Sequence, residues 1–194
     1  MSATGPYVET EIKLRFAPGA DAARGMLEQH GYGQAEPRTL EADQLFDRPD
    51  GELKRTNQLI RLRRAGTRAT ITYKGPPTPG RYKSREEIEF DVSDAGAFSQ
   101  VLERLGYQPG FRYEKFRTKF TASGEHGFVT LDETAIGVFL ELEGPPEWID
   151  RTAARLGFPP SAYLTDSYAS LYRQYRETHE AAPVDMLFED RQTS

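Results

Sequence analysis

The stretch "VETEIKLRF", Val8 to Phe16, alternates so strictly that its reading decides the fold. Side chains of an extended strand point alternately to opposite faces. Glu9, Glu11 and Lys13 therefore share one face, while Val8, Ile12 and Leu14 share the other, with Thr10 as a soft exception. One face is fully charged. The question is whether that face is merely wet or lines something.

Working outward, the same phase recurs. Arg61 and Arg63 oppose Ile60 and Leu62, and Thr70, Thr72 and Lys74 oppose Ile71 and Tyr73. Arg85, Glu87 and Glu89 oppose Ile88, Phe90 and Val92; Lys115, Arg117 and Lys119 oppose Phe116 and Phe120; Glu141 and Glu143 oppose Val138, Leu140 and Leu142. With the first, strands are expected over 39–46, 58–64, 69–74, 85–92, 112–120, 127–132 and 137–143. The links "RPDGE", "RAGTR", "ASGEHG" and "ETAIG" are short and turn-like, which favours antiparallel neighbours. Helices are expected after an Asp21 cap, with Ala22, Met26 and Leu27 inward, and from Asp94 to Leu105, with Phe98, Val101, Leu102 and Leu105 on one stripe. Two more are expected in "PPEWIDRTAARLG" and "SAYLTDSYASLYRQYRE". The fold class is α+β with a dominant antiparallel sheet.

An antiparallel sheet with one solvated face produces this alternation too. Here, however, charges of one sign come in pairs or triplets on particular strands, and like charges at neighbouring positions repel. Eight strands can close into a barrel, which turns the charged face into a lining. Confined charges are tolerated only when paired or neutralised by something bound. Arg61, Arg63, Lys74, Arg85, Lys115 and Arg117 then read as a phosphate cradle, because the guanidinium fork matches phosphate oxygens and lysine adds point charge. The carboxylates suit Mg²⁺ or Mn²⁺, hard cations that take carboxylates, water and phosphate oxygens together.

Composition agrees with one domain: 194 residues, 37% of them hydrophobic, suffice for a real core. A net charge of −5 argues against general nucleic-acid or anionic-membrane binding. The absence of cysteine, of a basic-then-apolar leader and of any bilayer-length apolar run leads us to expect a soluble cytoplasmic protein. His30, His126 and His179 are isolated, so a histidine metal site is not expected, and no nucleophile elbow or P-loop spacing is present. "GPPTPGRYKS", 75–84, reads first as a plain solvated loop; the alternative is a lip at a tunnel mouth, where Arg81 and Lys83 meet incoming polyphosphate. One domain over 1–177 is expected, followed by a polar tail, 178–194, that is disordered apart from its "DMLF".

These residues resemble the CYTH-domain proteins, the superfamily of triphosphate tunnel metalloenzymes. Its Glu-x-Glu-x-Lys signature stands at Glu9, Glu11 and Lys13, followed in order by "FDRPDGEL", "IRLR", "TYKGP", "SREEIEF", "EKFRTKF", "LDETAIGVFLELEG" and "SYASLY". The resemblance implies a closed eight-stranded antiparallel tunnel with helices outside, binding a triphosphate-containing small molecule with Mg²⁺ or Mn²⁺. It implies metal-side carboxylates at Glu9, Glu11, Glu141 and Glu143, with Lys13 joining the cradle. For Glu87, Glu89 and Asp132 it leaves a second metal site, water orientation and structural ion pairing open. Lys119 lies deeper and is a weaker candidate.

The family includes inorganic triphosphatases, thiamine triphosphatases and class IV adenylate cyclases. In hydrolysis a water positioned by a carboxylate attacks the terminal phosphoryl group; in cyclisation the ribose 3′-hydroxyl attacks the α-phosphoryl group. The cyclases tend to lack the full Glu-x-Glu spacing that Glu87 and Glu89 show here, which leans towards hydrolysis. The late Ser167–Tyr168 segment is also that of bacterial sequences grouped with the cyclases, so cyclisation stays the close alternative. Leu45 stands where the family often has Tyr, which says little about chemistry. A third reading is a non-catalytic polyphosphate or nucleotide sensor, disfavoured because a pure anion receptor gains nothing from the four glutamates. The tyrosines of the last helix, Tyr163, Tyr168, Tyr172 and Tyr175, read first as core and otherwise as a homodimer contact.

Overall fold

Eight strands form in the computed structural model, which describes residues 4–189 and their side chains from residue 7. They are β1 (Thr4–Arg15), β2 (Gly33–Asp47), β3 (Leu59–Ala65), β4 (Arg68–Lys74), β5 (Lys83–Val92), β6 (Gln108–Thr121), β7 (Phe128–Thr134) and β8 (Gly137–Glu143). All pairings are antiparallel, and the strands close into a barrel in the order β1-β5-β4-β3-β2-β6-β7-β8. The helices are α1 (Ala20–Gln29), a short α2 (Glu52–Arg55), α3 (Ala95–Arg104), α4 (Pro146–Arg155) and α5 (Tyr168–Thr178). Leaving α2 aside, the chain runs strand, helix and three strands, then repeats that succession, and the two crossovers put α1 and α3 on the outside.

Alternation assigns each face. Ile12, Leu14, Leu131, Leu140 and Leu142 point outward and are wholly buried under α1 and α4, where Leu27, Trp148 and Ile149 meet them. Leu62 and Ile71 pack under α3 through Leu102. This outer layer is the hydrophobic core, so the barrel's interior is left to polar side chains.

Local corrections follow from the caps. Gly19, at φ 96°, precedes α1, and Asp21 lies in the helix's first turn instead of capping it, where its charge still suits the helix dipole. This shifts the buried face: Ala23 and Leu27 are buried, whereas Ala22 is exposed. Asp94 does cap α3, accepting from the amides of Gly96 and Ala97 at 2.8 and 2.9 Å. The expected stripe of α3 is only half covered, because Val101 and Leu105 are exposed beside buried Leu102. The unexpected α2 arises from Asp47, whose carboxylate takes the amides of Leu53 and Lys54. The last expected helix splits into a 3-10 turn at Pro160–Ala162 and α5, which Ser167 caps through the Ser170 amide.

The described part of the tail folds back. Met186 is wholly buried and exchanges backbone hydrogen bonds with the part of β6 that extends beyond β7, through Arg112 and Glu114. Asp185 receives Arg112, and Phe188 meets Phe116. The remaining tail residues, 190–194, lie outside the described residues. No helix among the described residues is long and apolar enough to cross a membrane.

Candidate functional site

The inward face of the barrel encloses a cavity of about 720 Å³. Every cradle residue expected from the alternation lines it: Arg61, Arg63, Lys74, Arg85, Lys115 and Arg117, with Lys13 among them. So do the glutamates 9, 11, 87, 89, 141 and 143. The charged face of the first strand is a lining.

Register explains how so many charges coexist. Across β1 and β8, Lys13 sits opposite Glu141; across β1 and β5, Glu9 sits opposite Arg85; across β4 and β5, Lys74 sits opposite Glu87. Lys74 Nζ reaches both Glu9 at 2.6 Å and Glu87 at 2.7 Å. Lys13 Nζ lies 3.1 Å from Glu11 and 3.3 Å from Glu141, and Lys83 Nζ lies 2.9 Å from Glu11. Burial alone would push the Glu11 carboxyl up, but Lys13 and Lys83 outweigh it and hold it well below the usual carboxylate range. Burial opposes the charge of Lys13 as well, and Glu11 and Glu141 more than offset it, so that ammonium is stabilised.

One corner lacks this balance. Glu143 faces Glu11 across the ladder and has no ion-pair partner among the described residues. Burial, then the charges of Glu9 and Glu11, push its carboxyl up to about 8. Burial also raises Glu87, to about 7, despite Lys74, and lowers Lys83 to about 8.

Asp132 does not line the cavity. It is wholly buried beneath it, accepting from Lys115 at 2.8 Å, from Arg117 Nε at 2.7 Å and from the Tyr168 hydroxyl at 2.7 Å. Its position is that of a bracket for two cradle cations. Glu89 pairs with Arg61 at 3.4 Å and accepts from Thr72 at 2.8 Å. Arg117 also meets Glu141. Lys119, the weak candidate, pairs with Glu36 at 3.3 Å near one opening.

The loop that was an alternative lip divides. Arg81 is drawn to α4, where Asp150 pairs with it at 3.0 Å and accepts from Tyr82 and Tyr163, whereas Lys83 lines the cavity. Among the lining residues, sequence reasoning gave no site role to Glu41 on β2, Tyr113 or Tyr168, and it passed over Asp43 on β2, which is buried and pairs with the lining arginines without lining the cavity itself. Asp43 receives Arg63 in a two-pronged pair at 2.8 and 3.1 Å, and Glu41 is ion-paired with Arg63 at 2.9 Å, so these acids hold the cradle from the far wall. Their signal, an acid at every second position in "LEADQLF", was present but obscured by Gln44 on the outer face and Leu45 on the inner phase.

Two buried donors point to an anion. The Nε groups of Arg61 and Arg85 are shielded from solvent and make no hydrogen bond, although Asp43 and Glu9 stand within ion-pair distance at 3.6 and 3.8 Å. Such N–H groups are strongly disfavoured unless something accepts from them.

A family model described as CYTH domain matches residues 8–153. A Methanocaldococcus jannaschii protein, provisionally named an adenylate cyclase, is 27% identical over 136 residues, covering 70% of this chain and 76% of its own. A Pyrococcus horikoshii structure superposes with a TM-score of 0.71 at 23% identity, over 87% of this chain and 99% of that one. A Hippeastrum protein, provisionally an adenylyl cyclase and described as revealing a dominant triphosphatase activity, superposes with a TM-score of 0.63 at 17% identity, over 86% and 96%.

Proposed function

The chain belongs to the CYTH-domain family, and from that premise we propose that it is a divalent-metal-dependent triphosphatase, hydrolysing a phosphoanhydride bond of a triphosphate-containing small molecule held in the barrel. The observation that carries this reading is that Arg61 and Arg85 line the cavity while their buried Nε groups make no hydrogen bond, the nearest carboxylates, of Asp43 and Glu9, standing off at 3.6 and 3.8 Å. Phosphate oxygens satisfy them, and the remaining cradle cations offset the charge that spreads over those oxygens during transfer.

The acidic corner fits Mg²⁺ or Mn²⁺. Its donors are carboxylate oxygens, and the pile-up of charge at Glu9, Glu11 and Glu143 is what a cation relieves. Among the described residues no three carboxylates converge as a ready chelate, so the ion would complete its shell with phosphate oxygens and water. Glu9, Glu11, Glu141 and Glu143 would hold it. Bound there, the ion supplies charge neutralisation and polarises phosphate oxygens. Glu87, with a carboxyl near neutrality and Lys74 beside it, is placed to orient a water and accept its proton. Asp132 keeps Lys115 and Arg117 aimed at the phosphates, and Glu89 steadies Arg61.

A second reading, cyclisation of ATP, is favoured by the name of the Methanocaldococcus relative, and the hydrolytic reading by the activity described for the Hippeastrum protein. Incubation with Mg²⁺ or Mn²⁺ and, separately, tripolyphosphate, thiamine triphosphate and ATP separates them. Orthophosphate release supports the triphosphatase. Cyclic AMP with pyrophosphate from ATP replaces it with the cyclase, and tight tripolyphosphate binding without product replaces both with a sensor.

A further inference from the structure

β6 runs past its neighbour. Its ladder with β7 begins at Lys115, so on that side residues 112–114 would present bare amides and carbonyls. The segment after α5 covers them. Met186 donates its amide to the Arg112 carbonyl at 3.0 Å and accepts the Glu114 amide at 2.9 Å, a parallel bridge centred on Tyr113. Asp185 clamps the same place from outside, taking the Arg112 amide at 2.9 Å and the Arg112 Nε at 2.7 Å, and the Pro183 carbonyl accepts from the Tyr172 hydroxyl at 3.0 Å.

This segment reaches the cradle by two routes. Along the backbone, the bridge ends at Glu114, and the next residue is Lys115, one of the lining cations. Through side chains, the wholly buried Met186 shares a cluster with Tyr168, whose hydroxyl donates to Asp132 at 2.7 Å, and Asp132 accepts from Lys115 and Arg117. The Tyr168 ring also stands 5.0 Å from the Lys115 ammonium. Both routes converge on Lys115. An ammonium on a flexible four-carbon stem keeps one aim only while its backbone and its bracing ring are both fixed.

We propose that residues 183–188 form a positioning strap for the cradle. With the strap seated, Lys115 and Arg117 are held towards the phosphates; with it released, the barrel persists, because the core under α1 and α4 does not include it, but phosphate is bound less tightly. This rests on the triphosphate reading above and adds to that site a segment from outside the barrel. Coupling between two binding events is reciprocal, so phosphates that engage Lys115 must in turn hold the strap down. A strand that merely covers an edge has no such link to the ligand.

Hydrogen exchange in the full chain, with and without a non-cleavable methylene-bridged analogue of tripolyphosphate and Mg²⁺, tests this. The analogue should slow exchange at the Met186 and Glu114 amides about fivefold or more. Amides of α3, which packs elsewhere over Leu62 and Ile71, should slow by less. Unchanged exchange at the strap while the analogue binds overturns the proposal, and so does equal slowing in α3, which is general stabilisation by a ligand. Neither result needs a variant to fold. Independently, Asp185→Ala loosens the strap at the surface and should weaken binding of the analogue about fivefold. In a Lys115→Met chain the same substitution should add nothing, because the residue through which the strap acts is gone. An Asp185→Ala chain that binds as tightly as the unaltered one, or a loss that persists in full beside Lys115→Met, overturns the proposal. If the analogue does not bind the unaltered protein, the triphosphate reading itself fails, and this inference with it.

Discussion

Glu11 and Glu143 stand directly opposite each other across the β1–β8 ladder, two carboxylates where a cross-strand pair normally matches opposite charges. Lys13 and Lys83 attend Glu11, so the imbalance falls on Glu143, whose carboxyl moves from its ordinary 4.5 up to about 8.

A pH dependence follows. The folded state holds the Glu143 proton up to about pH 8, and the unfolded state releases it near 4.5, so stability from this group is full at low pH and declines as pH rises through that window. Glu87, raised to about 7, adds to the decline in its lower part. Lys83, lowered to about 8, is charged in both states below that pH and does not oppose it. The melting temperature of chelator-treated protein should therefore fall between pH 5 and pH 8. Glu143→Gln should flatten the slope, and Mg²⁺ at pH 8 should restore more stability to the unaltered protein than to the variant. A level profile in the unaltered protein refutes the imbalance.

Replacing Glu11 with Gln keeps shape and removes one charge from the proposed metal side. Turnover should fall by about 10²-fold or more. Phosphate binding without metal should hold or strengthen, because Lys13 and Lys83 lose the carboxylate that they share. Single-turnover rates and chelator-treated tripolyphosphate titrations measure the two effects. Undiminished hydrolysis would remove Glu11 from the metal side.

Asp132 supports a different expectation, because its carboxylate is wholly buried and satisfies Lys115, Arg117 and Tyr168 together. Asp132→Asn leaves two buried cations undercompensated and should destabilise by about 3–5 kcal/mol. Tyr168→Phe removes one hydrogen bond to the same carboxylate, for about 1–3 kcal/mol. Urea unfolding ranks them. A Tyr168→Phe variant as damaged as Asp132→Asn would mean that the hydroxyl's hydrogen bond, not the charge balance of Lys115 and Arg117, dominates there.

The barrel was legible because period-two alternation is a local signal. Six strands announced their inward charges without knowledge of their neighbours, and those charges do line one cavity. What stayed hidden depends on contacts remote in sequence. Asp132 is acidic and in phase with the lining, yet only the approach of Tyr168 from 36 residues away, with Lys115 and Arg117, turns it into a bracket. Asp21 has a capping residue's chemistry, but the backbone turns at Gly19 and leaves it inside the helix. Arg81 is a basic loop residue beside a tunnel, and Asp150 on α4 draws it away. Met186 lies in a polar tail and is buried because β6 projects past β7 and leaves an edge to cover.

The last prediction concerns the corner that carries Glu143. Gly127 precedes β7, and a Cβ there would stand 2.4 Å from the Trp148 ring and 2.7 Å from the Glu143 carbonyl. At Gly144, beside it, a Cβ would stand 2.9 Å from Gly127 Cα and from the same ring. Neither backbone nor a wholly packed indole yields easily, since Trp148 is 2% exposed. Gly127→Ala should therefore destabilise by about 1–3 kcal/mol through overpacking. Trp148→Leu alone should also destabilise, by opening space. Joined in one chain, the two changes should lose less than the sum of their separate effects, because the leucine vacates the volume that the new methyl needs. Additive losses in a double-mutant cycle by denaturant unfolding would show that the glycine is required for something other than the approach of the indole.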